Sequence, residues 1–178
     1  KEEADAEAAK DGSTYVEDAG RGYRKVVPSP MPKEIVEKEA VRALVEADVL
    51  TICSGGGGIP VVAEDGQYVG VEAVNDKDFS ARVLAENVDA DRLIILTGVD
   101  NIYINYNQPD QKALEQISVA EAEEYIKEGH FAAGSMLPKI EAALDFVKGD
   151  DKRKAIITSI ENLENIDKEA GTVISQKG

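Results

Sequence analysis

The stretch that points most directly to the fold runs from residue 78 to residue 98 and reads Asp78-Phe79-Ser80-Ala81-Arg82-Val83-Leu84-Ala85-Glu86-Asn87-Val88-Asp89-Ala90-Asp91-Arg92-Leu93-Ile94-Ile95-Leu96-Thr97-Gly98. Its first part predicts a helix that ends near Asn87. Its second part, from Arg92 onward, is a short run of consecutive apolar residues, which is typical of a buried strand. A helix that leads into a buried strand is a repeating unit of α/β folds.

The same alternation continues on both sides of this stretch. Apolar runs predict buried strands at residues 49–53, 155–158 and 172–174, and Asp65-Gly66 predicts the turn of a hairpin. Helices are predicted at residues 1–10, from Pro30-Met31-Pro32 onward, from Ser118 to Ile126, and after Ser135. We therefore predict an α/β three-layer sandwich, in which helices cover both faces of a mainly parallel sheet.

Two loops follow predicted strands at the sheet edge where α/β proteins bind ligands. One loop contains four consecutive glycines, whose backbone can approach a ligand closely and direct N–H groups toward it: Gly55, Gly56, Gly57 and Gly58. The other is the turn Thr97-Gly98-Val99-Asp100. The glycine loop lacks the endings of the common P-loop and of the dinucleotide fingerprint, so neither motif is predicted.

Two lysines are placed near predicted helix starts. Lys139 belongs to Gly134-Ser135-Met136-Leu137-Pro138-Lys139, in which Ser135 is the expected N-cap, and Lys77 belongs to Asn75-Asp76-Lys77-Asp78, in which Asp76 or Asp78 is the expected cap. A cation at the positive end of a helix dipole is mildly unfavourable, but together they form a natural anion site. Each lysine could instead be a solvated surface residue, and the two together favour phosphate binding.

The composition excludes several classes of function. With 35 acidic and 20 basic residues the net charge is −15, which argues against nucleic acid or an anionic membrane as the main partner. His130 is the single histidine, so a zinc site built on histidines is excluded and no protein metal site is predicted. Cys53, at the end of an apolar run, is expected to be a buried core residue. No membrane span or signal peptide is visible, so we expect a cytoplasmic protein.

Taken in order, the motifs resemble those of the carbamate kinases, in the amino-acid kinase superfamily. The matching segments cover nearly the whole chain, and their order is far more specific than any one of them. They are Glu17-Asp18-Ala19-Gly20-Arg21-Gly22-Tyr23-Arg24-Lys25-Val26-Val27-Pro28-Ser29-Pro30, Ser54-Gly55-Gly56-Gly57-Gly58-Ile59-Pro60-Val61-Val62, Gly70-Val71-Glu72-Ala73-Val74-Asn75-Asp76-Lys77-Asp78, Leu96-Thr97-Gly98-Val99-Asp100 and Gly129-His130-Phe131-Ala132-Ala133-Gly134-Ser135-Met136-Leu137-Pro138-Lys139-Ile140-Glu141-Ala142.

The resemblance identifies the chain as the C-terminal, nucleotide-binding half of such an enzyme. Residues 1–23 would be the tail of a protruding subdomain, and residues 24–178 the nucleotide-binding half of an amino-acid kinase-like domain. The N-terminal half of the family, with its Gly-Gly-Asn-Ala and His-Gly-Asn-Gly-Pro-Gln segments, does not occur in these residues. The 178-residue chain alone is therefore expected to be inactive.

The resemblance implies reversible phosphoryl transfer between ATP and carbamate, giving ADP and carbamoyl phosphate, and running toward ATP in arginine fermentation. It implies Lys139 and Asp78 as catalytic residues and Lys77 as a contact to the nucleotide phosphates. The four glycines would place backbone donors near the phosphates or the carbamate, and Mg²⁺ would bridge the phosphates. The nucleoside pocket would be formed by Thr97, Gly98, Val99, Asp100, Tyr106 and Met136. A homodimer is also implied.

Two alternatives remain open from the sequence. One is another amino-acid kinase, acting on acetylglutamate, glutamate or UMP, although the segments around Arg21 and Gly55 favour carbamate kinase. The other is a nucleotide-binding fragment without catalytic activity of its own.

Overall fold

The computed structural model describes residues 1–18 and 20–178, and Ala19, in the basic segment quoted above, lies outside the described residues. In chain order the elements are α1 (Glu2–Asp11), β1 (Thr14–Glu17), β2 (Tyr23–Val26), α2 (Lys38–Glu46), β3 (Val61–Glu64), β4 (Gln67–Gly70), α3 (Lys77–Asn87), β5 (Arg92–Thr97), β6 (Ile102–Ile104), β7 (Lys112–Leu114), β8 (Gln116–Ser118), α4 (Val119–Lys127), α5 (Met136–Lys148), β9 (Lys154–Ser159), a 3₁₀ helix (Leu163–Lys168) and β10 (Thr172–Ser175).

The central sheet has four strands in the order β5-β9-β10-β8. β5 is parallel to β9 and β10 is parallel to β8, whereas β9 and β10 run antiparallel. Two of the three strand pairs are thus parallel, and the predicted α/β class with a mainly parallel sheet is confirmed. The antiparallel pair arises because β9 returns to β10 through the short 3₁₀ helix.

The main core lies between one face of the sheet and helices α3, α4 and α5. Along β5 the side chains alternate, so that Leu93 and Ile95 are buried against the helices. Phe146, Ile140 and Ala143 of α5 are fully buried in the same core. On the opposite face of β5, Ile94 is 40% exposed and Leu96 is 37% exposed.

The N-terminal residues form a small unit in which α1 is joined to the β1–β2 hairpin. Gly12 ends α1 in the left-handed conformation, and Lys25 of β2 donates a hydrogen bond to Asp11 at 3.2 Å. Arg21 and Arg24 both lie close to Asp18, at 3.0 and 3.8 Å. The basic residues of this segment are therefore paired with local acids, and the predicted domain boundary at residue 23 falls at the start of β2.

Three predictions for residues 30–53 are wrong. The helix expected from Pro30 begins only at Lys38, and Val41 is its buried residue. Residues 49–53 form no strand; Leu50 and Ile52 are each 95% exposed, and Cys53 is only partly buried. An apolar run becomes a buried strand only when neighbouring strands pair with it, and the described residues supply none here.

The predictions for the Asp65-Gly66 turn and for the Ser118 cap are confirmed. The hairpin β3–β4 turns at Asp65 (φ 48°) and Gly66 (φ 79°), as the Asp-Gly pair predicts. Ser118 caps α4 by accepting from the Glu121 backbone N–H. The Glu121 carboxylate in turn accepts from the Ser118 backbone N–H, which completes a capping box. Within the part of the chain that the structure describes, no helix is long and apolar enough to cross a membrane.

Candidate functional site

The start of α3 is shaped by Asp76, which is the residue that caps this helix. Its Oδ1 accepts a hydrogen bond from the backbone N–H of Asp78 at 2.8 Å, so the choice left open by the sequence falls to Asp76. Asp78 is thereby free of the capping role and lies in the first turn, only 6% exposed. A buried carboxylate needs partners, because burial disfavours an isolated charge.

The partner of Asp78 is Lys139, 61 residues further along the chain. Lys139 Nζ donates a hydrogen bond to Asp78 Oδ2 at 2.8 Å, and the side chains are 12% and 9% exposed. Lys77 Nζ lies 3.8 Å from the same oxygen but is 62% exposed. One carboxylate thus holds two ammonium groups from two helix starts, which leaves a local excess of positive charge. We call these three residues the lysine cluster.

The start of α5 differs in detail from the sequence prediction. Ser135 occupies the N-cap position, but its side chain makes no capping hydrogen bond. Instead, the backbone oxygen of Ala132 accepts from the N–H groups of Ser135, Met136 and Leu137 at 3.1 to 3.2 Å. The Ser135 hydroxyl is therefore not used in capping the helix that carries Lys139.

The glycine loop packs against the start of α3 through Gly57. Ser80, which is 1% exposed, donates its hydroxyl to the Gly57 backbone oxygen at 2.8 Å. Gly57 has φ +125°, and a Cβ atom there would lie 2.3 Å from the backbone oxygen of Asn75. This close approach brings the glycine loop next to the segment that carries the lysine cluster.

Gly57→Ala is expected to destabilise the protein by about 3 kcal/mol, since it combines a backbone clash with a left-handed φ. Gly56→Ala is the matched control in the same loop: its Cβ would meet nothing within 4 Å and its φ is not left-handed, so we expect a change within about 0.5 kcal/mol. Urea unfolding of both variants measures the difference. Equal stabilities would contradict the packing described for Gly57.

A cleft of about 600 Å³ opens beside the carboxyl end of β5. It is lined by five of the residues predicted for a nucleoside pocket, namely Thr97, Gly98, Val99, Tyr106 and Met136. Asp100 is not among the described lining residues; its Oδ1 accepts a hydrogen bond from Ser159 at 2.6 Å, which ties the turn after β5 to the end of β9. Asp100 therefore anchors the turn, and its predicted role at the nucleotide stays a prediction.

The sequence reasoning missed seven further lining residues of the cleft. They are Tyr103, Asn105, Gly129, His130, Phe131, Ala132 and Ser135. Several of them lie shortly before Lys139 in the sequence. Their closeness to that predicted site residue was the signal that could have identified them as part of the site. The Tyr103 and Tyr106 rings lie 5.9 Å apart, and His130 Nε2 lies 3.0 Å from Glu128 Oε2. The cleft therefore combines aromatic surface with a few polar groups, which suits a flat heteroaromatic ligand.

The structure thus brings the predicted residues together in two places joined by α5. Met136 lines the cleft, whereas Lys139, three residues on, belongs to the lysine cluster. Lys77 and Asp78 belong to the same cluster, and the glycine loop packs beside them through Gly57. Among residues 1–18 and 20–178, no group of three or more His, Cys, Asp or Glu side chains could hold a metal ion by itself.

Comparison with known proteins gives a consistent result. Residues 4–159 match the amino acid kinase family. A carbamate kinase of Enterococcus faecium is 56% identical over 98% of this chain and 56% of its own length. One of Lentilactobacillus hilgardii is 55% identical over 99% of the chain and 56% of its own length. The chain therefore spans about half the length of the curated relatives it matches.

A solved structure adds the same likeness in three dimensions. Carbamate kinase from Giardia lamblia bound to AMP-PNP superposes with a TM-score of 0.88 at 45% identity. The match covers 98% of this chain and 55% of that one.

Proposed function

The chain belongs to the amino acid kinase family, and on that basis we propose that it is the nucleotide-binding part of a carbamate kinase. The reaction is the reversible transfer of a phosphoryl group between ATP and carbamate, giving ADP and carbamoyl phosphate, and in arginine fermentation it proceeds toward ATP. The carbamate acceptor is inferred from relatives that are 55–56% identical over nearly the whole chain.

The observation that supports the chemistry is the lysine cluster. Phosphoryl transfer depends on positioning and on neutralising charge, with little covalent participation by the protein. Lys139 would neutralise the charge on the moving phosphoryl group, and Lys77, which is more exposed, would contact the nucleotide phosphates. Asp78 would orient both ammonium groups, since its Oδ2 lies 2.8 Å from one and 3.8 Å from the other.

The other residues fit a nucleotide that lies along the start of α5. The cleft with Tyr106 and Met136 would hold the nucleoside, and the turn Thr97-Gly98-Val99 would form one of its walls. From there the phosphates would extend toward the lysine cluster. Backbone N–H groups of Gly55, Gly56, Gly57 and Gly58 would approach the phosphates or the carbamate.

Mg²⁺ is the metal that we propose to accompany the nucleotide. It is normally held by one or two carboxylates together with substrate phosphates and water, which agrees with the lack of a multi-residue metal cluster among the described residues. Phosphate oxygens and water would supply its ligands, because the Asp78 carboxylate is already held by Lys139 and Lys77. When bound, the ion neutralises phosphate charge.

A homodimer and a cytoplasmic location are proposed from family membership. Size-exclusion chromatography would test the first and cell fractionation the second.

The test of the function is ATP formation by the full-length protein that contains this chain. Carbamoyl phosphate and ADP are expected to yield ATP in a coupled assay. Acetylglutamyl phosphate, glutamyl phosphate and UDP, each offered as phosphoryl donor to ADP, are expected to yield far less ATP. A preference for one of the latter phosphoryl donors over carbamoyl phosphate would assign the chain to another member of the family.

A polypeptide of only these 178 residues is expected to bind ADP weakly and to show no turnover. It contains the cleft and the lysine cluster but spans 56% of its relatives' length, and transfer requires both reactants to be held in line. Calorimetry measures the ADP binding, and the coupled assay measures the turnover. Turnover comparable to that of the full-length protein would show that the whole catalytic site lies within these residues.

A further inference from the structure

The polar groups of the cleft differ in whether their hydrogen-bonding character is fixed. The hydroxyls of Thr97, Ser135, Tyr103 and Tyr106 can each donate or accept, so they cannot distinguish a ligand donor from a ligand acceptor. His130 Nε2 faces Glu128 Oε2 at 3.0 Å, so this nitrogen is a donor to Glu128. Among the described residues that line the cleft, Asn105 is the amide side chain, and a neighbour fixes which of its two ends accepts.

That neighbour is Asp110, which follows five residues later. Asn105 Nδ2 donates a hydrogen bond to Asp110 Oδ2 at 2.7 Å. An ionised carboxylate only accepts, so the amide group facing Asp110 must be the NH₂. Asn105 Oδ1 is therefore left as a group that accepts hydrogen bonds and cannot donate them.

The backbone around Asn105 holds this arrangement in a compact loop. Asn105 has φ +52°, a left-handed conformation that asparagine tolerates better than most residues. Its backbone oxygen accepts from Gln108 N–H at 2.9 Å, and Asn107 N–H donates to the Gln111 side chain at 2.8 Å. The loop thus brings Asp110 back to Asn105 at the rim of the cleft.

We propose that Asn105, oriented by Asp110, selects a 6-aminopurine nucleotide over a 6-oxopurine nucleotide in this cleft. This inference rests on the proposed function. Adenine presents an amine that donates to Asn105 Oδ1, whereas guanine presents a carbonyl oxygen that would face another acceptor. Two acceptors that face each other without a proton between them are disfavoured, so Asn105 adds a discrimination that aromatic packing alone does not provide.

The experiment measures the affinities of ADP and GDP for the full-length protein by calorimetry. The native protein is expected to prefer ADP by more than about tenfold. Asp110→Leu frees the Asn105 amide to turn its NH₂ toward guanine. Asn105→Gly removes the amide, and glycine tolerates the left-handed φ of this position. Each variant is expected to reduce the preference for ADP at least about tenfold. Asp110→Asn, whose side-chain oxygen can still accept from Asn105, is expected to retain most of the preference.

The possible results separate this inference from the function on which it rests. Tight ADP binding with an unchanged ADP-to-GDP ratio in both Asp110→Leu and Asn105→Gly would overturn the role of Asn105 and leave the kinase function intact. Failure of the native protein to bind either nucleotide would overturn both. Thermal melting of each variant confirms that it is folded, and Asn105→Gly supplies an answer if Asp110→Leu is unstable.

Discussion

Replacing Lys139 with alanine is expected to lower the kcat of the full-length enzyme by at least about 100-fold, while ADP affinity changes by less than about tenfold. The ammonium group is only 12% exposed and is held 2.8 Å from Asp78, so it is already in position before charge develops on the moving phosphoryl group. An interaction that strengthens only in the transition state contributes to turnover more than to binding.

The matched control for Lys139→Ala is Lys148→Ala in the same helix. Lys148 lies in the last turn of α5, is 44% exposed and pairs with Glu123 at 2.6 Å, so its loss should leave kcat within about twofold. Coupled ATP formation and ADP calorimetry on both variants provide the comparison. A kcat near the native value for Lys139→Ala would make Lys139 a structural partner of Asp78 and nothing more.

Asp78→Asn is expected to lower kcat by at least about tenfold and to leave the protein folded. The α3 cap survives because Asp76 supplies it. The asparagine can still accept a hydrogen bond from Lys139, but the negative charge that holds Lys77 and Lys139 together is lost. Removing that charge from a largely buried pair should also reduce the free energy of unfolding, by about 1–3 kcal/mol.

The double variant Lys139→Ala/Asp78→Asn distinguishes a shared role from two independent ones. If Asp78 acts by holding Lys139, the double variant should be little slower than Lys139→Ala alone, because residues that act as a unit are not additive. Urea unfolding of each variant separates catalytic loss from loss of folded protein. A large fall in stability with normal specific activity of the folded fraction would assign Asp78 to structure.

Local patterns were sufficient for elements whose stability is decided nearby. The Asp65-Gly66 turn and the N-cap at Ser118 depend on residues within a few positions of one another, and both were predicted. The segment at residues 49–53 has the same apolar composition as a buried strand, yet Leu50 and Ile52 are almost fully exposed. Composition indicates the tendency to form a strand, but hydrogen-bonding partners on neighbouring strands decide the outcome.

The site shows the same division between local and distant information. Helix starts at Lys77 and Lys139 were visible in the sequence, but their meeting at Asp78 spans 61 residues and was expected only from a family resemblance. Tyr103 and Asn105 were not singled out because a short strand and its loop carry no motif of their own. Asp100 was expected at the nucleotide from the same resemblance, and its hydrogen bond to Ser159, 59 residues further along the chain, is a contact that no local pattern indicates.

The first turn of α5 joins the cleft to the lysine cluster, since Met136 lies in one and Lys139 in the other. Three helical residues span only about 4.5 Å along the axis, and a turn of helix is too stiff to bend between them. A ligand that contacts Met136 is therefore fixed at one distance from Lys139, whose ammonium group Asp78 already holds. A phosphoryl donor that lacked the base would lose this registration: its phosphate would not be fixed relative to Lys139, and transfer would be slow even at saturation.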